Sequence, residues 1–243
     1  GDVLFKKDKN RLRSVFTYEN DQIVFKNADV RNEILNGNLI GYIKFLPFFD
    51  FDLDLDLKGF NFKRLYTYLG KMKKEEFTKL FKINYKINGT INLNANKIYS
   101  KHGLINSFES YIKFSNGNII VEKLLFNLGK LGAADVTGII KTDKKYTNFK
   151  FENNVYLDSE KYFRRKFSIF DKQKISNNLF ASGTLDLANF NMRFDEIISD
   201  IKFKDEEIAY IEKEFNYYML DDGIESFFNF IKFKEFIKST ISD

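Results

Sequence analysis

The residues best placed to do chemistry are four aspartates in "FFDFDLDLDLKGFNF", Phe48 to Phe62, where Asp50, Asp52, Asp54 and Asp56 take every second position. A row of carboxylates suggests a divalent cation. Calcium loops of the helix-loop-helix type begin Asp-x-Asp-x-Asp, but they need Gly at position six and a bidentate Glu at twelve to curl the oxygens around one ion. Here those positions hold Leu55 and Asn61. On an extended strand alternate side chains stand roughly 7 Å apart in a line, which cannot encircle a cation. The expectation is a solvated strand face and no metal.

Other catalytic chemistry is sparse. His102, in "SKHGL", is the only histidine, and there is no cysteine. That removes histidine clusters, thiolate zinc sites, disulfides and cysteine nucleophiles, and leaves the redox compartment open. Gly-x-Ser-x-Gly, Walker and Gly-x-Gly-x-x-Gly patterns are missing, and nothing singles out a pair of carboxylates. The chain therefore reads as non-enzymatic, with no cofactor implied. Asn88-Gly89-Thr90 matches a glycosylation sequon, a frequent accidental match.

The elements that would carry these residues follow from the whole chain. Its 243 residues, 44% hydrophobic and 30% charged, can build a sizeable core. Apolar runs are broken within a few residues, well short of the roughly 20 of a spanning helix. An opening Gly-Asp-Val without Met or signal pattern reads as a piece of a longer protein. The 39 Lys and Arg are scattered among 34 Asp and Glu, so no clustered basic face points to nucleic acid. We attribute the 29 Phe and 13 Tyr to codon bias, which raises Phe, Tyr, Ile, Lys and Asn together, rather than to a stacking surface.

Hydrophobicity alternates with period two over most of the chain, which predicts a mainly β fold with a few short helices. Asn36-Gly37 and Asn116-Gly117 predict hairpin turns, and Asp143-Lys144-Lys145 a third. The second hairpin sets Phe114 opposite Ile119, Ile112 opposite Val121 and Phe108 opposite Leu125. The first sets Ile34 opposite Leu39 and Val30 opposite Ile43. Alternation then gives one apolar face with Phe49, Phe51, Leu53, Leu55, Leu57, Ile91, Leu93, Ile112, Phe114, Ile119, Val121, Leu185 and Leu187. Helical patterns run over Lys63 to Gly70, Lys74 to Lys82, Ser159 to Ser168, Asp205 to Met219 and Ile224 to Ile241. Residues 1–200 thus form a β domain and 201–243 a helical segment.

Strand units recur, around 30–70, 83–145 and 179–198. "DLDLKGFNFKRL" (Asp54 to Leu65) aligns without gaps to "TLDLANFNMRFD" (Thr184 to Asp195), and "GTINLNANKI" at Gly89 echoes "GTLDLANFNM" at Gly183. In the first pair apolar residues shift from odd to even positions after Leu57 and Leu187. Gly59 and Asn189 lie at the switch, so equivalent bends are predicted there.

These Leu-Asp-Leu-Asp-Leu strands ending in Phe-Asn-Phe-Lys-Arg-Leu, with "GTINLNANKI" and the Gly-rich "LGKLGAADVTGII", resemble the AsmA-like family of bacterial envelope proteins, related to TamB. The resemblance runs from about Leu39 to Ile198. It implies repeated β units in a long curved sheet or groove, whose apolar lining, the thirteen residues above, faces phospholipid acyl chains. It also implies a periplasmic protein tethered to the inner membrane, working with other envelope proteins in phospholipid transport and outer-membrane biogenesis. The family's membrane helix is not in this chain, and its pattern does not include the two C-terminal helices. The alternative is a β-rich scaffold or protein-interaction module whose core is closed by a second sheet. Ile224–Ile241, with Lys232, Lys234 and Lys238, suits an anionic membrane surface; packing on the sheet is the preferred reading.

Overall fold

The computed structural model describes residues 1–100, 102–143, 146–170, 174–227 and 229–241. Strands β1 (Asp2–Lys7), β2 (Asn10–Glu19), β3 (Gln22–Arg31), β4 (Leu35–Lys44) and β5 (Phe49–Asn61) are followed by helices α1 (Phe62–Gly70) and α2 (Lys74–Lys79). Next come β6 (Ile87–Ala95), β7 (Ile98–Tyr99), β8 (Ser107–Ser115), β9 (Asn118–Asn127), β10 (Gly132–Thr142) and β11 (Thr147–Leu157). After α3 (Glu160–Phe167), β12 (Asn178–Asp186) and β13 (Asn191–Ile198) complete the strands. Then α4 (Asp205–Phe215), a π-helical turn (Asn216–Leu220), α5 (Ile224–Phe227) and α6 (Phe230–Ile241) close the described chain.

All thirteen strands form one open sheet in chain order, with only the two-residue β7 off the path, beside β5. The fold is mainly β, as the alternation predicts. Neighbours are antiparallel except that β5 runs parallel to β6 and β7. A parallel pair cannot be joined by a tight turn. The α1–α2 segment supplies the crossover, started by Asn61, whose side-chain oxygen accepts from the Arg64 amide. In α3, Ser159 caps the start and left-handed Ser168 ends the helix.

The turn at Asn116-Gly117 forms, with φ of 51° and 76° at the two residues. Phe114 faces Ile119 and Ile112 faces Val121 as predicted. Phe108 faces Phe126 rather than Leu125, because the register shifts beyond Tyr111 and Ile112 and leaves Glu122 as an extra residue. The bulge keeps Leu124 and Phe126 on the face of Val121 despite the change of parity.

Asn36-Gly37 is not a turn. Both residues lie inside β4, the chain reverses three residues earlier, at Glu33-Ile34, and Val30 pairs with Gly37, Ala28 with Leu39 and Ile23 with Ile43. Asn32 directs this reversal by accepting from the Ile34 and Leu35 amides at 2.8 and 2.9 Å. Gly37 serves another purpose: a Cβ there would stand 2.3 Å from the Asp56 carbonyl oxygen, so only glycine lets β5 approach.

The two predicted bends exist but are not equivalent. Near Gly59 the strand continues, and Lys58 is the extra residue of a bulge between Leu57, opposite Gly37, and Gly59, opposite Asn36. At Asn189 the chain turns back, with the Asp186 carboxylate accepting from the Ala188 and Asn189 amides and Phe190 at φ 52°. The third predicted turn is bridged by the Asp143 amide donating to the Tyr146 carbonyl; Lys144 and Lys145 lie outside the described residues.

Helices rather than a second sheet cover the apolar face. Leu65 of α1 packs with Leu57, Phe60 and Ala95. Met219, Leu220 and Phe236 pack on Phe151 and Met192. The predicted helix from Ile224 to Ile241 is two helices, because Asn229 accepts from the Ile231 amide and starts α6 afresh. No helix is long and apolar enough to cross a membrane among the described residues.

The two Asn-Gly pairs should respond differently to substitution. Asn36→Ala should leave urea stability nearly unchanged, whereas Asn32→Ala should cost about 1 kcal/mol through two amides left without their partner. Gly37→Ala should cost about 1–3 kcal/mol by forcing β4 from β5. An Asn36→Ala loss equal to that of Asn32→Ala would contradict the reversal described.

Candidate functional site

The register aligns side chains of one face in continuous rows across the sheet. One row runs from Ile23 through Ile43, Phe51, Gly89, Phe114 and Ile119 to Ile140, Phe149, Leu185 and Met192. The next runs from Phe16 through Phe25, Gly41, Leu53, Ile91, Ile112 and Val121 to Gly138, Phe151, Gly183 and Phe194. Leu55 and Leu93 stand in a third row with Leu39, and Leu57 in a fourth with Gly37 and Ala95. Phe49 starts β5 on the same side, opposite Ile87. Leu187 follows the last residue of β12 and is buried, at 7% exposure; the other residues predicted to line the apolar face stand in these rows.

Glycine lets large rings lie down on this face. Gly89 sits between Phe51 and Phe114, whose rings meet over it at 5.4 Å; a Cβ would be 2.7 Å from the Phe51 ring. Gly183 sits likewise between Phe151 and Phe194, with rings 6.4 Å apart. The repeated "GT" in "GTINLNANKI" and "GTLDLANFNM" is this arrangement. Phe51 thereby reaches 8% exposure.

Cover over the face is uneven. Above β5 and β6 stands α1, and above β10–β13 stand α4, the π-helical turn and α6. The crossover reaches over to the β12–β13 turn: the Phe77 ring meets Phe190 at 5.5 Å, and Lys74 donates to Asn189 at 2.8 Å. Among the described residues no helix joins an apolar cluster with β1, β2 or β3. On that side Phe16, Phe25 and Val30 are half-buried only by their neighbours, and Phe5 is exposed.

The opposite face carries the aspartates. Asp52 accepts from the Thr90 hydroxyl at 2.6 Å and Asp54 from the Asn92 amide at 2.7 Å, across the parallel β5–β6 pair. Asp50 accepts from the Tyr42 hydroxyl, and burial together with Asp50 and Asp52 raises the Tyr42 phenol above its usual value. No group of three His, Cys, Asp or Glu side chains converges among the described residues. The row is a polar ladder that fixes strand register. A surface cleft bordered by Ile139, Lys150, Glu152, Ser182, Asp195 and Glu196 opens near this face.

His102 is stacked on Phe230 at 4.8 Å, with its carbonyl accepting from Lys166. In α6, Phe233, Phe236 and Ile237 are spent on the core, while Ile231 is 64% exposed. Sequence reasoning placed Val30 of β3 on the apolar hairpin but missed that β1 and β2 extend the face, although Phe5, Leu12 and Phe16 carry its alternation.

Compared with protein-family models, curated proteins and solved structures, the chain matches none.

Asp54→Asn combined with Asp56→Asn should cost about 1 kcal/mol or less, as exposed charges do. Calcium should not change the melting temperature of either protein. Exposed Asp222 has its pKa lowered by Lys232, first by a hydrogen bond and then by charge. A depressed carboxylate gives stability that is present above its unfolded value near 4 and lost as pH falls through the folded one. Asp222→Asn should therefore flatten the decline of stability below pH 4; an unchanged acid limb would remove the ion pair from that account.

Proposed function

We propose that the chain binds lipid acyl chains on the apolar face of its sheet, as a non-enzymatic segment of a bacterial envelope protein. The observation that carries this reading is the continuation of the apolar rows onto β1–β3, where among the described residues no helix joins an apolar cluster. Large exposed apolar surfaces are rare on soluble monomers and mark contact with apolar partners. Acyl chains suit a face of mixed Phe, Leu, Ile and Val, which offers area without directional polar groups. The resemblance to the AsmA-like family supports the same ligand, and with it a periplasmic setting and a part in phospholipid transport and outer-membrane biogenesis.

A closed scaffold is the second reading, favoured at one end of the sheet by the helices over β10–β13. The two readings assign different parts of the face to different tasks, and substitution separates them. Leu57, 1% exposed beneath α1, behaves as core: Leu57→Ser should cost about 2–5 kcal/mol. Leu53→Ser and Phe16→Ser, outside any helical cluster, should cost less, because mobile chains or water refill the space. They should instead reduce the phospholipid that co-purifies after gentle extraction, measured by native mass spectrometry. A parent protein that carries no phospholipid and gains no stability from added lipid, with Leu53→Ser as costly as Leu57→Ser, would favour the closed scaffold.

A further inference from the structure

The turn between β4 and β5 breaks a rule that its neighbours keep. Surface turns favour Gly, Asn, Asp and Ser, which bend the chain and meet water. At the same end of the sheet the β2–β3 turn is Asn20-Asp21 and the β8–β9 turn is Asn116-Gly117, all four at positive φ. Between β4 and β5 stand Phe45-Leu46-Pro47-Phe48, without a polar side chain. All four are exposed, with Phe45 at 43%, Leu46 at 58% and Phe48 at 54%. Leu46 and Phe48 join no apolar cluster among the described residues. Single exposed apolar residues are ordinary, but a contiguous group marks a contact.

Around this tip polarity rises in steps. Exposed Tyr18 and Tyr85 flank it, the first near the end of β2 and the second two residues before Ile87, which faces Phe49. Lys44 precedes the turn, and the Lys86 ammonium lies over the Tyr85 ring at 5.9 Å. An apolar tip, phenol rings at its sides and ammonium groups at its base follow the order of acyl chain, interface and phosphate in a phospholipid bilayer. Lys44 and Lys86 are balanced by Glu19, Asp21 and Asp50, so the match does not call for an anionic surface. Inward from the tip, ring contacts run on without a break: Phe45 meets Phe49 at 6.0 Å, Phe49 meets Phe51 at 5.9 Å, and Phe51 meets Phe114 at 5.4 Å.

We propose that Phe45–Phe48 inserts into the surface of a phospholipid bilayer, so that the sheet stands on the membrane by this end and its apolar face opens onto the hydrocarbon. The opening of the face rests on the reading of that face as a lipid site. Insertion itself stands on the turn and is tested apart from it.

The 243-residue chain should float with phosphatidylcholine vesicles, and rising salt should not release it, because apolar burial and not screened charge holds it. Leu46→Asp with Phe48→Asp, both at exposed positions, should leave the melting temperature unchanged and lower the floating fraction about tenfold or more, since charges are costly to bury in hydrocarbon. Leu53→Ser, expected to reduce co-purified phospholipid, should float like the parent, so failure of lipid carriage by the face leaves the insertion test intact. Because the chain has no tryptophan, Phe48→Trp introduces one indole. Its emission should move to the blue on vesicles and be quenched by phosphatidylcholine brominated on its acyl chains. Tyr99→Trp, at the far end of β5 opposite Asn61, should show neither effect. A chain that never floats, flotation indifferent to the aspartate pair, or an unmoved Phe48→Trp emission overturns the insertion. So does an oligomer formed without lipid and dissolved by the aspartate pair, which would assign the turn to a second copy.

Discussion

One side of a single-layer sheet, apolar in nearly every strand, has to be withdrawn from water, and among the described residues there is no second sheet to do it. The chain meets this constraint by several means along its length. Where β5, β6 and β8 meet, Phe51 and Phe114 fall over Gly89 and cover each other. Near Leu57 the crossover helix takes over, and at β10–β13 the C-terminal helices fill the face with Met219, Leu220 and Phe236. Toward β1 no covering device acts among the described residues. The proposed lipid site lies on the part of the face that these devices do not cover.

The helices that cover the sheet also guard its edge. Asn216 and Glu212 point at β13 from the segment whose Phe215, Met219 and Leu220 pack on the same strands. Burial of the face and protection of the backbone are thus one act at that end. At the other end, among the described residues, β1 pairs with β2 alone and its side chains are exposed.

Alternation made the β class, the common apolar face and the outward aspartates legible, because period two is a direct image of the pleat. Turn chemistry was legible only in part. Asn116-Gly117 and Asn36-Gly37 look alike in the sequence, yet the first takes left-handed angles and the second sits flat in β4. What separated them was long-range: Asn32 offered an earlier reversal, and β5 needed a position without a side chain. The bulge at Glu122 was visible as a parity change, Ile119 and Val121 giving way to Leu124 and Phe126, much as Lys58 marks the change after Leu57. The pairing of Gly89 with rings on both neighbours depends on strands brought together by the crossover, so the repeated Gly-Thr could be noticed but not explained from sequence.

The parallel seam between β5 and β6 divides the sheet into two meanders. Within β1–β5, and again from β8 to β13, each strand pairs with its neighbour in the chain, and apart from the β11–β12 link through α3 those contacts close short loops and can form early. The seam requires the longest excursion, through α1 and α2, before its hydrogen bonds begin. Such a join is entropically the dearest in the sheet, and a slipped register there would misplace every row of the apolar face at once. Of the alternating aspartates, Asp52 and Asp54 bond across this seam to Thr90 and Asn92, and Asp56 reaches Asn96 just beyond β6. These polar pairs form only when the two halves meet in this register.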